Sequence, residues 1–413
     1  MSVALTRVRT ALAPAVAALV GAIAAALLVA PAGASAADPP PSVPRAASAI
    51  VVDARNGDVM FRENADEERG MASTTKLMTA LLTLENARPN EVFTSPGYDP
   101  LPAESRINLR AGERMTVEDL LEALLLESAN DAAVTLADGV AGSEEAFVER
   151  MNKRAAQLGL DHTSYENPIG LDAPTNYSSA GDLAIIARRL MRNRRFARIV
   201  NQPGATLESG IRPRMIDNRN TLVGRYGWVD GVKTGHTLSA GDVLVGAAHG
   251  RGGARVISVV MGEPSESARD ADTLTLLRWG LGRFHRVRAL EPDRVLARAD
   301  IKYRDERAAL VPRRDVTITV RDGEHLRRRI AAPEELEGPL PAGRRVGSVT
   351  VYVDGKRVRR AALVTASDVP GAGTFRVLLS VLGVPLTLIL ALGILLAATV
   401  AVLRVRVRLR LVR

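Results

Sequence analysis

Residues 377–403 carry no charged side chain. The run exceeds the roughly 20 apolar residues that cross a bilayer as a helix. Pro385 lies inside it, and membrane helices tolerate a proline kink. Arg404, Arg406, Arg408, Arg410 and Arg413 come directly after it. A buried core helix would be shorter and would not end in such a cluster. The positive-inside rule places an arginine-rich flank in the cytoplasm. The expectation is a transmembrane helix at 377–403 with a cytoplasmic basic tail at 404–413, and everything before it facing outward.

The other end agrees. Arg7 and Arg9 precede an uncharged stretch, 11–30, and Ala34-Ser35-Ala36 is a small-residue cleavage site. Residues 1–36 therefore read as a signal peptide or, uncleaved, as an N-terminal anchor. Either form exports the chain beyond it. A Pro-rich linker spans 37–45.

Of the formal charge of +9, two arginines lie in that leader and five in the tail, which leaves +2 for residues 10–403. A nucleic-acid partner needs a basic face on the folded part, and none is expected. The chain has no cysteine, so disulfides and thiolate metal sites are excluded. No histidine pair has metal-ligand spacing, and no cofactor is expected. Lys76, Lys153, Lys233, Lys302 and Lys356 are the only lysines among 55 basic residues. Arginine serves wherever charge alone is needed, so a retained lysine points to a site that needs a removable proton.

Between the ends two textures alternate. Residues 46–286 mix helix and strand signals. Asn56-Gly57 between two apolar runs is a hairpin signature, and residues 73–84 have helical periodicity. Thr116 and Asp119 make a capping-box pattern before an apolar helix over 120–126. Further helices are expected at 131–140, 144–157 and 268–284, and strands at 232–237, 243–248 and 256–261. Residues 287–366 show short alternating runs separated by Asp322-Gly323 and Asp354-Gly355, the pattern of a small β-rich domain. It has no catalytic constellation and is expected to act as a stalk. Residues 367–376 link it to the membrane.

Three clusters carry chemistry. In Ser73-Thr74-Thr75-Lys76 the two ends share a helix face one turn apart. A neutral lysine there can take the proton of a serine nucleophile; alone, such a pair is equally a solvated helix face. In Ser128-Ala129-Asn130 an extended loop would point both polar side chains into one cleft, although Ser and Asn at a helix boundary are ordinary caps. Lys233-Thr234-Gly235, with His236 and Thr237 next in the chain, offers a cation and hydroxyls to a carboxylate on a strand that a peptide can lie along; the alternative is a plain edge strand. In this order and spacing the three match the serine–lysine acyl-transfer set of penicillin-binding proteins and β-lactamases.

The chain resembles the low-molecular-mass penicillin-binding proteins of the D-alanyl-D-alanine carboxypeptidase (S11 peptidase) family. Residues 71–79 and 128–133, Glu166-Asn167-Pro168 with Gly170-Leu171-Asp172, and residues 230–237 carry the resemblance. It extends over 46–286 and, more weakly, to the end of the chain. It implies an α/β (α+β) serine DD-peptidase fold, an antiparallel sheet with flanking helices, ahead of the β-rich domain and the anchor. The implied reaction removes the terminal D-Ala from peptidoglycan stem peptides ending in D-Ala-D-Ala. β-Lactam antibiotics would be inhibitors, and the implied location is the outer side of a bacterial plasma membrane. The resemblance makes Ser73 the nucleophile, Lys76 its base, Ser128 a proton relay and Asn130 a substrate-orienting amide. Lys233 and Thr234 bind the carboxylate, and the N–H groups of Ser73 and His236 form an oxyanion hole. Gly235 and Thr237 line the same strand, and Arg219 and Arg269 fall where the family has arginines near the cleft. Two departures, Ala129 for a frequent glycine and Thr175-Asn176-Tyr177 for Gly-His-Tyr, leave the reacting groups intact. A D,D-endopeptidase would share every residue. A class A β-lactamase would need a glutamate in an E-x-x-L-N segment, which is absent. A non-catalytic scaffold would be marked by loss of Ser73 or Lys76.

Overall fold

The computed structural model describes residues 39–43, 45–101 and 104–410. The chain falls into two units, 1–41 and 42–413, and the second holds every element named here. The expected signal peptide lies outside the described residues.

Five strands form one antiparallel sheet: β1 (Ser48–Asp53), β2 (Val59–Glu63), β3 (Val229–Thr237), β4 (Gly241–His249) and β5 (Arg255–Glu263), in the order β2-β1-β5-β4-β3. Both faces are covered, so the strands are apolar on both sides. Ile50, Val52, Val243, Val245, Ile257 and Val259 enter one core. Their neighbours Ala49, Val51, Leu244, Val256 and Val260 enter the other. This two-sided burial gives an antiparallel sheet the near-continuous hydrophobic runs usual for parallel ones. The first core is filled by α1 (Lys76–Asn86), α2 (Asn130–Ala141), α3 (Glu144–Leu158) and α4 (Ala180–Leu190). The second is closed by α5 (Glu266–Gly282), whose N-cap Ser265 accepts from the Ala268 N–H. Each leucine buried this way contributes about 1.5–3 kcal/mol.

One expected helix differs. Thr116 accepts from the Asp119 N–H as an N-cap. The return bond is absent, because Asp119 accepts from Ser209 instead. The helix Val117–Glu122 then widens into a π-turn, Ala123–Glu127, and stops at Ser128, whose φ is +64°. The wider turn shifts the phase of the chain by one residue and delivers Ser128 and Asn130 to the head of α2.

Beyond Gly282 the chain is β-structured to Thr365. Strands β6 (Phe284–Leu290) and β9 (Val316–Arg321) pair with each other. A six-stranded sheet contains β7 (Ala297–Ile301), β8 (Arg307–Pro312), β10 (Leu326–Ala331), β11 (Glu335–Leu336), β12 (Arg345–Val353) and β13 (Lys356–Thr365), ordered β10-β12-β13-β8-β7-β11. Ala289, Ile318 and Val320 from the pair meet Val349, Val351 and Ala361 from the larger sheet.

A charged joint ties this region to the first hairpin. Asp53 is fully buried and holds Arg55 at 2.6 Å and Arg321 at 3.6 Å. Arg55 also reaches Glu324 at 3.0 Å, and Arg321 reaches Asp58 at 2.5 Å.

The last helix, α6 (Thr374–Arg410), contains the one stretch among the described residues long and apolar enough to cross a membrane, Pro385–Arg404. Leu386, Ile389, Leu392 and Leu395 are exposed along it, unlike side chains of a core helix. The break in α6 falls at Gly383 (φ +73°, ψ 161°) and not at Pro385. Proline disfavours a helical residue before it, and glycine absorbs the distortion. The Thr387 hydroxyl donates to the Gly383 carbonyl at 2.7 Å and resatisfies it.

Replacing Asp53 by Ala leaves two guanidinium groups facing a buried vacancy. Loss of about 3 kcal/mol of unfolding free energy is expected, read as a lowered thermal midpoint. Faster proteolysis at the joint near 283–290 should accompany it.

Candidate active site

Ser73 lies in a tight 3-10 turn, Ala72–Thr75, that runs straight into α1. Ala72 ahead of it is held at φ +47°, a region L-residues with a Cβ avoid. Ser128 is held the same way, so both serines singled out in the sequence are positioned by strained backbone, as at many functional sites.

Two glycines make the packing around Ser73 possible. A Cβ on Gly170 would sit 2.0 Å from the Ala72 carbonyl oxygen and 3.0 Å from the Ser73 nitrogen, and Gly170 has φ +90°. A Cβ on Gly235 would sit 3.1 Å from the Ser73 nitrogen. The backbone of Ser73 is thus clasped between the loop at Gly170 and strand β3 at Gly235. The His236 N–H is the next along β3.

Lys76 is completely buried. Its Nζ lies 3.0 Å from Ser73 Oγ, 2.6 Å from Asn130 Oδ1 and 2.5 Å from the Ile169 carbonyl oxygen. Burial, reinforced by the charge of Lys233, pushes this amine well below the ordinary lysine value, against the opposing pull of Glu104 and Asp131. The Ile169 carbonyl is aimed by an Asn167 turn: Asn167 Oδ1 accepts from the N–H groups of Ile169, Gly170 and Leu171. The Thr79 hydroxyl donates to the Pro168 carbonyl at 2.7 Å and pins the loop to α1. The turn falls in a stretch that carries the family resemblance, but the Ile169 carbonyl itself is not legible as a site element, because a backbone carbonyl leaves no side-chain signature.

Strand β3 is the sheet edge beside the Ser73 turn. Lys233 is 1% exposed, and among the described residues its Nζ donates only to the Thr234 carbonyl, at 2.9 Å. Burial and then the charges of Arg219 and Arg269 lower it to about 7, against Glu127. Thr234 is buried, while His236 is exposed. His236 Nδ1 lies 3.3 Å from Asp242, its register partner on β4. The Thr237 hydroxyl donates to Asp172 at 2.7 Å.

The two arginines sit differently. Arg219 is half exposed and pairs with Glu127, the residue before Ser128. Arg269 is 2% exposed and engaged by Asp242 and Asp270, so it backs the strand and offers no free guanidinium to a ligand. Ser128 is buried at the head of α2. Among the described residues its hydroxyl makes no hydrogen bond to Ser73 or Lys76. The geometry as a whole is a hydroxyl beside a buried lysine amine held below its ordinary pKa, with a second buried lysine on the neighbouring strand: an arrangement suited to acyl transfer to serine from a substrate that ends in a carboxylate.

Comparison with known proteins agrees. Residues 34–265 match the D-alanyl-D-alanine carboxypeptidase family (peptidase S11), and residues 284–371 match the C-terminal domain of penicillin-binding protein 5. The D-alanyl-D-alanine carboxypeptidase DacA of Escherichia coli (strain K12) is 34% identical over 365 residues, covering 81% of this chain and 87% of that protein. DacF of Bacillus subtilis (strain 168), also a D-alanyl-D-alanine carboxypeptidase, is 29% identical over 79% of this chain and 87% of its own length. The crystal structure of penicillin binding protein 5 from Haemophilus influenzae superposes with a TM-score of 0.58 at 32% identity, covering 81% of this chain and 99% of that one.

Gly170→Ala is expected to force the Ala72–Ser73 backbone away from β3. Strain at positive φ alone costs about 1–3 kcal/mol. Covalent labelling by fluorescent penicillin should slow more than the thermal midpoint falls, because the displaced atoms belong to the Ser73 peptide itself.

Proposed function

The chain belongs to the D-alanyl-D-alanine carboxypeptidase (S11) family of penicillin-binding serine peptidases, and we propose that Ser73 is its nucleophile and Lys76 the base. It is a serine-type D-alanyl-D-alanine carboxypeptidase with a penicillin-binding/β-lactamase-like catalytic domain and a C-terminal β-rich domain. The observation that carries the assignment of Ser73 and Lys76 is the Lys76 amine: buried, held below its ordinary pKa, and 3.0 Å from Ser73 Oγ.

In the proposed mechanism the Lys76 lone pair takes the Ser73 proton as Oγ adds to the carbonyl carbon between the two D-alanines. The N–H groups of Ser73 and His236 stabilise the oxyanion. The tetrahedral adduct then expels D-alanine, and its nitrogen receives a proton through Ser128. Water hydrolyses the resulting acyl-enzyme and restores Ser73. Asn130 orients the substrate amide. Lys233, with the Thr234 hydroxyl, holds the terminal carboxylate beside Gly235, which leaves room for the substrate backbone, while Thr237, its proton donated to Asp172, lines the far end of the strand. Arg219 adds positive potential there, and Arg269 fixes Asp242 behind His236. Penicillin acylates Ser73 by the same addition.

The substrate in this reading is the peptidoglycan stem peptide. The exposed leucines of α6 support its use as a membrane anchor. With the arginines at 404–413 inside, the catalytic domain works on the outer side of the plasma membrane, and the β-rich region between is a stalk.

Full-length protein in detergent micelles should release D-alanine from a peptide ending in D-Ala-D-Ala, and Ser73→Ala should release none and take up no labelled penicillin. Release by Ser73→Ala at the native rate would overturn the assignment. The pH dependence comes from Lys233. Its cation is needed to bind the carboxylate, and the charged fraction falls as pH rises through its pKa. The alkaline limb of kcat/KM, which reports the free enzyme, should therefore fall near pH 7. Lys233→Arg should abolish that limb, since a guanidinium keeps its proton.

A further inference from the structure

Glu104 has no role in the proposed mechanism, yet it touches the site. Asn130 Nδ2 donates to Glu104 Oε2 at 2.7 Å. The Tyr98 hydroxyl donates to the same oxygen, and the Leu101 N–H donates to Oε1 at 3.1 Å. The segment after Glu104 is tied to the head of α2: the Asn130 N–H donates to the Ser105 carbonyl at 2.8 Å, and Asp131 accepts from the N–H groups of Ile107 and Leu109. Burial opposes a charge on Glu104, but the hydrogen bonds from Tyr98, Asn130 and Leu101 outweigh it and hold the carboxyl below its usual range.

The consequence lies in the bonding capacity of Lys76. A neutral lysine amine has two N–H donors and one lone pair. The Ile169 carbonyl and Asn130 Oδ1 can only accept, so they occupy the two donors and leave the lone pair for the Ser73 hydroxyl. The Ile169 carbonyl is fixed by its loop. The Asn130 side chain has two nearly isosteric ends. Rotated by half a turn, it would present an N–H to Lys76, compete with Ser73 for the lone pair and quench the base. An acceptor held on the far side of Asn130 opposes that rotation, and a carboxylate, which has no donor to offer a turned amide, opposes it most strongly.

We propose that Glu104 is a positioning residue: by accepting the Asn130 amide N–H it locks the amide oxygen toward Lys76 and so reserves the lysine lone pair for Ser73. The inference rests on Ser73 and Lys76 being nucleophile and base. Glu104 also acts through its charge. Lys76 is faced by Lys233, which disfavours its protonation, and by Glu104 and Asp131, which favour it. Removing the Glu104 charge while keeping an acceptor should move deprotonation of Lys76 to lower pH.

Glu104→Gln and Glu104→Ala separate the two effects in the full-length protein. The rates of labelled-penicillin acylation and of D-alanine release are measured against pH. Glu104→Gln should keep the plateau rate within ~3-fold and shift the acidic limb to lower pH, whereas Glu104→Ala should lose about 10- to 100-fold of the plateau, a sizeable part of what a positioned base contributes. Equal plateau losses for Gln and Ala would overturn the locking role, as would a native plateau in Glu104→Ala. An acidic limb unmoved in Glu104→Gln would overturn the charge effect. If Glu104→Ala does not fold, Tyr98→Phe, which loosens the same carboxylate, should lower the plateau without moving the limb as far as Gln does; a native plateau there would overturn the lock. Ser73→Ala and Lys76→Ala are run alongside. Survival of activity in either removes the nucleophile–base premise itself, a result that no outcome at Glu104 can imitate.

Discussion

The burial of the Lys76 amine is the constraint on which the rest of the site depends. An ammonium in an apolar interior is unstable unless it is paired or gives up its proton. No carboxylate contacts Nζ among the described residues; its neighbours are a hydroxyl, an amide oxygen and a backbone carbonyl. That environment solvates an amine adequately and an ammonium poorly. Lys233 lies close enough to add repulsion, and it is itself pressed toward neutrality by Arg219 and Arg269. The two lysines form one electrostatic system, in which a carboxylate arriving at Lys233 changes the field at Lys76. In the proposed mechanism, binding of the substrate terminus at Lys233 and readiness of Lys76 as the base are therefore linked.

Holding such an amine in place requires rigid acceptors, and the fold supplies them from three directions. The α1 helix carries Lys76 one turn after Ser73. The head of α2 carries Asn130, reached through a π-turn and a left-handed Ser128. The loop at 167–170 brings the Ile169 carbonyl and passes so near Ala72 that only glycine fits at 170. Strain at Ala72 and Ser128 is sustained because the central strands are buried on both faces and the core-facing side chains of the surrounding helices are buried against them. The stability of the core is what permits unfavourable dihedrals where the chemistry needs them.

The side chains proposed to react are legible in the sequence and their supports are largely hidden. Ser73, Lys76, Asn130 and Lys233 stand out because the spacing is diagnostic and because lysine is rare in a chain rich in arginine. The hairpin, α1, α2, the sheet strands and the C-terminal helix are readable from periodicity and turn residues. The π-turn is not, since 120–126 has ordinary helical periodicity and the widening is a tertiary effect. For the break in α6 the local rule names Pro385, while the flexible neighbour Gly383 takes the distortion. Arg269 reads in the sequence as a possible ligand contact; Asp270 is its neighbour in the chain, but Asp242, which also engages it, lies on a strand that meets the helix only in the fold. Glu104 escapes notice because a glutamate in a loop 26 residues before Asn130 has no pattern to declare it. Its importance comes from a contact with a residue whose own importance is already visible.

The net charge of the interior hides a further asymmetry. Residues 287–366 hold 18 basic and 12 acidic side chains, so the +2 between the ends combines a basic β-rich region with an acidic remainder. Part of that complementarity is used at the joint, where Arg321 of β9 meets Asp53 and Asp58 of the first hairpin. Because Asp53 is buried and shared by arginines from both sides, separating the two regions would strand a desolvated carboxylate. A loosely strung spacer has no need of such a contact. A stalk that holds the Ser73 cleft at a set height and orientation above its anchor does. The other end is tied as well: Arg304 donates to the Gly371 carbonyl at 2.7 Å, and Leu340 bridges to Val369, so only residues 372 and 373 separate this tie from α6, which begins at Thr374. In the proposed stalk role, reach toward the wall is then set by the length of the β-rich region itself and little by its linkers.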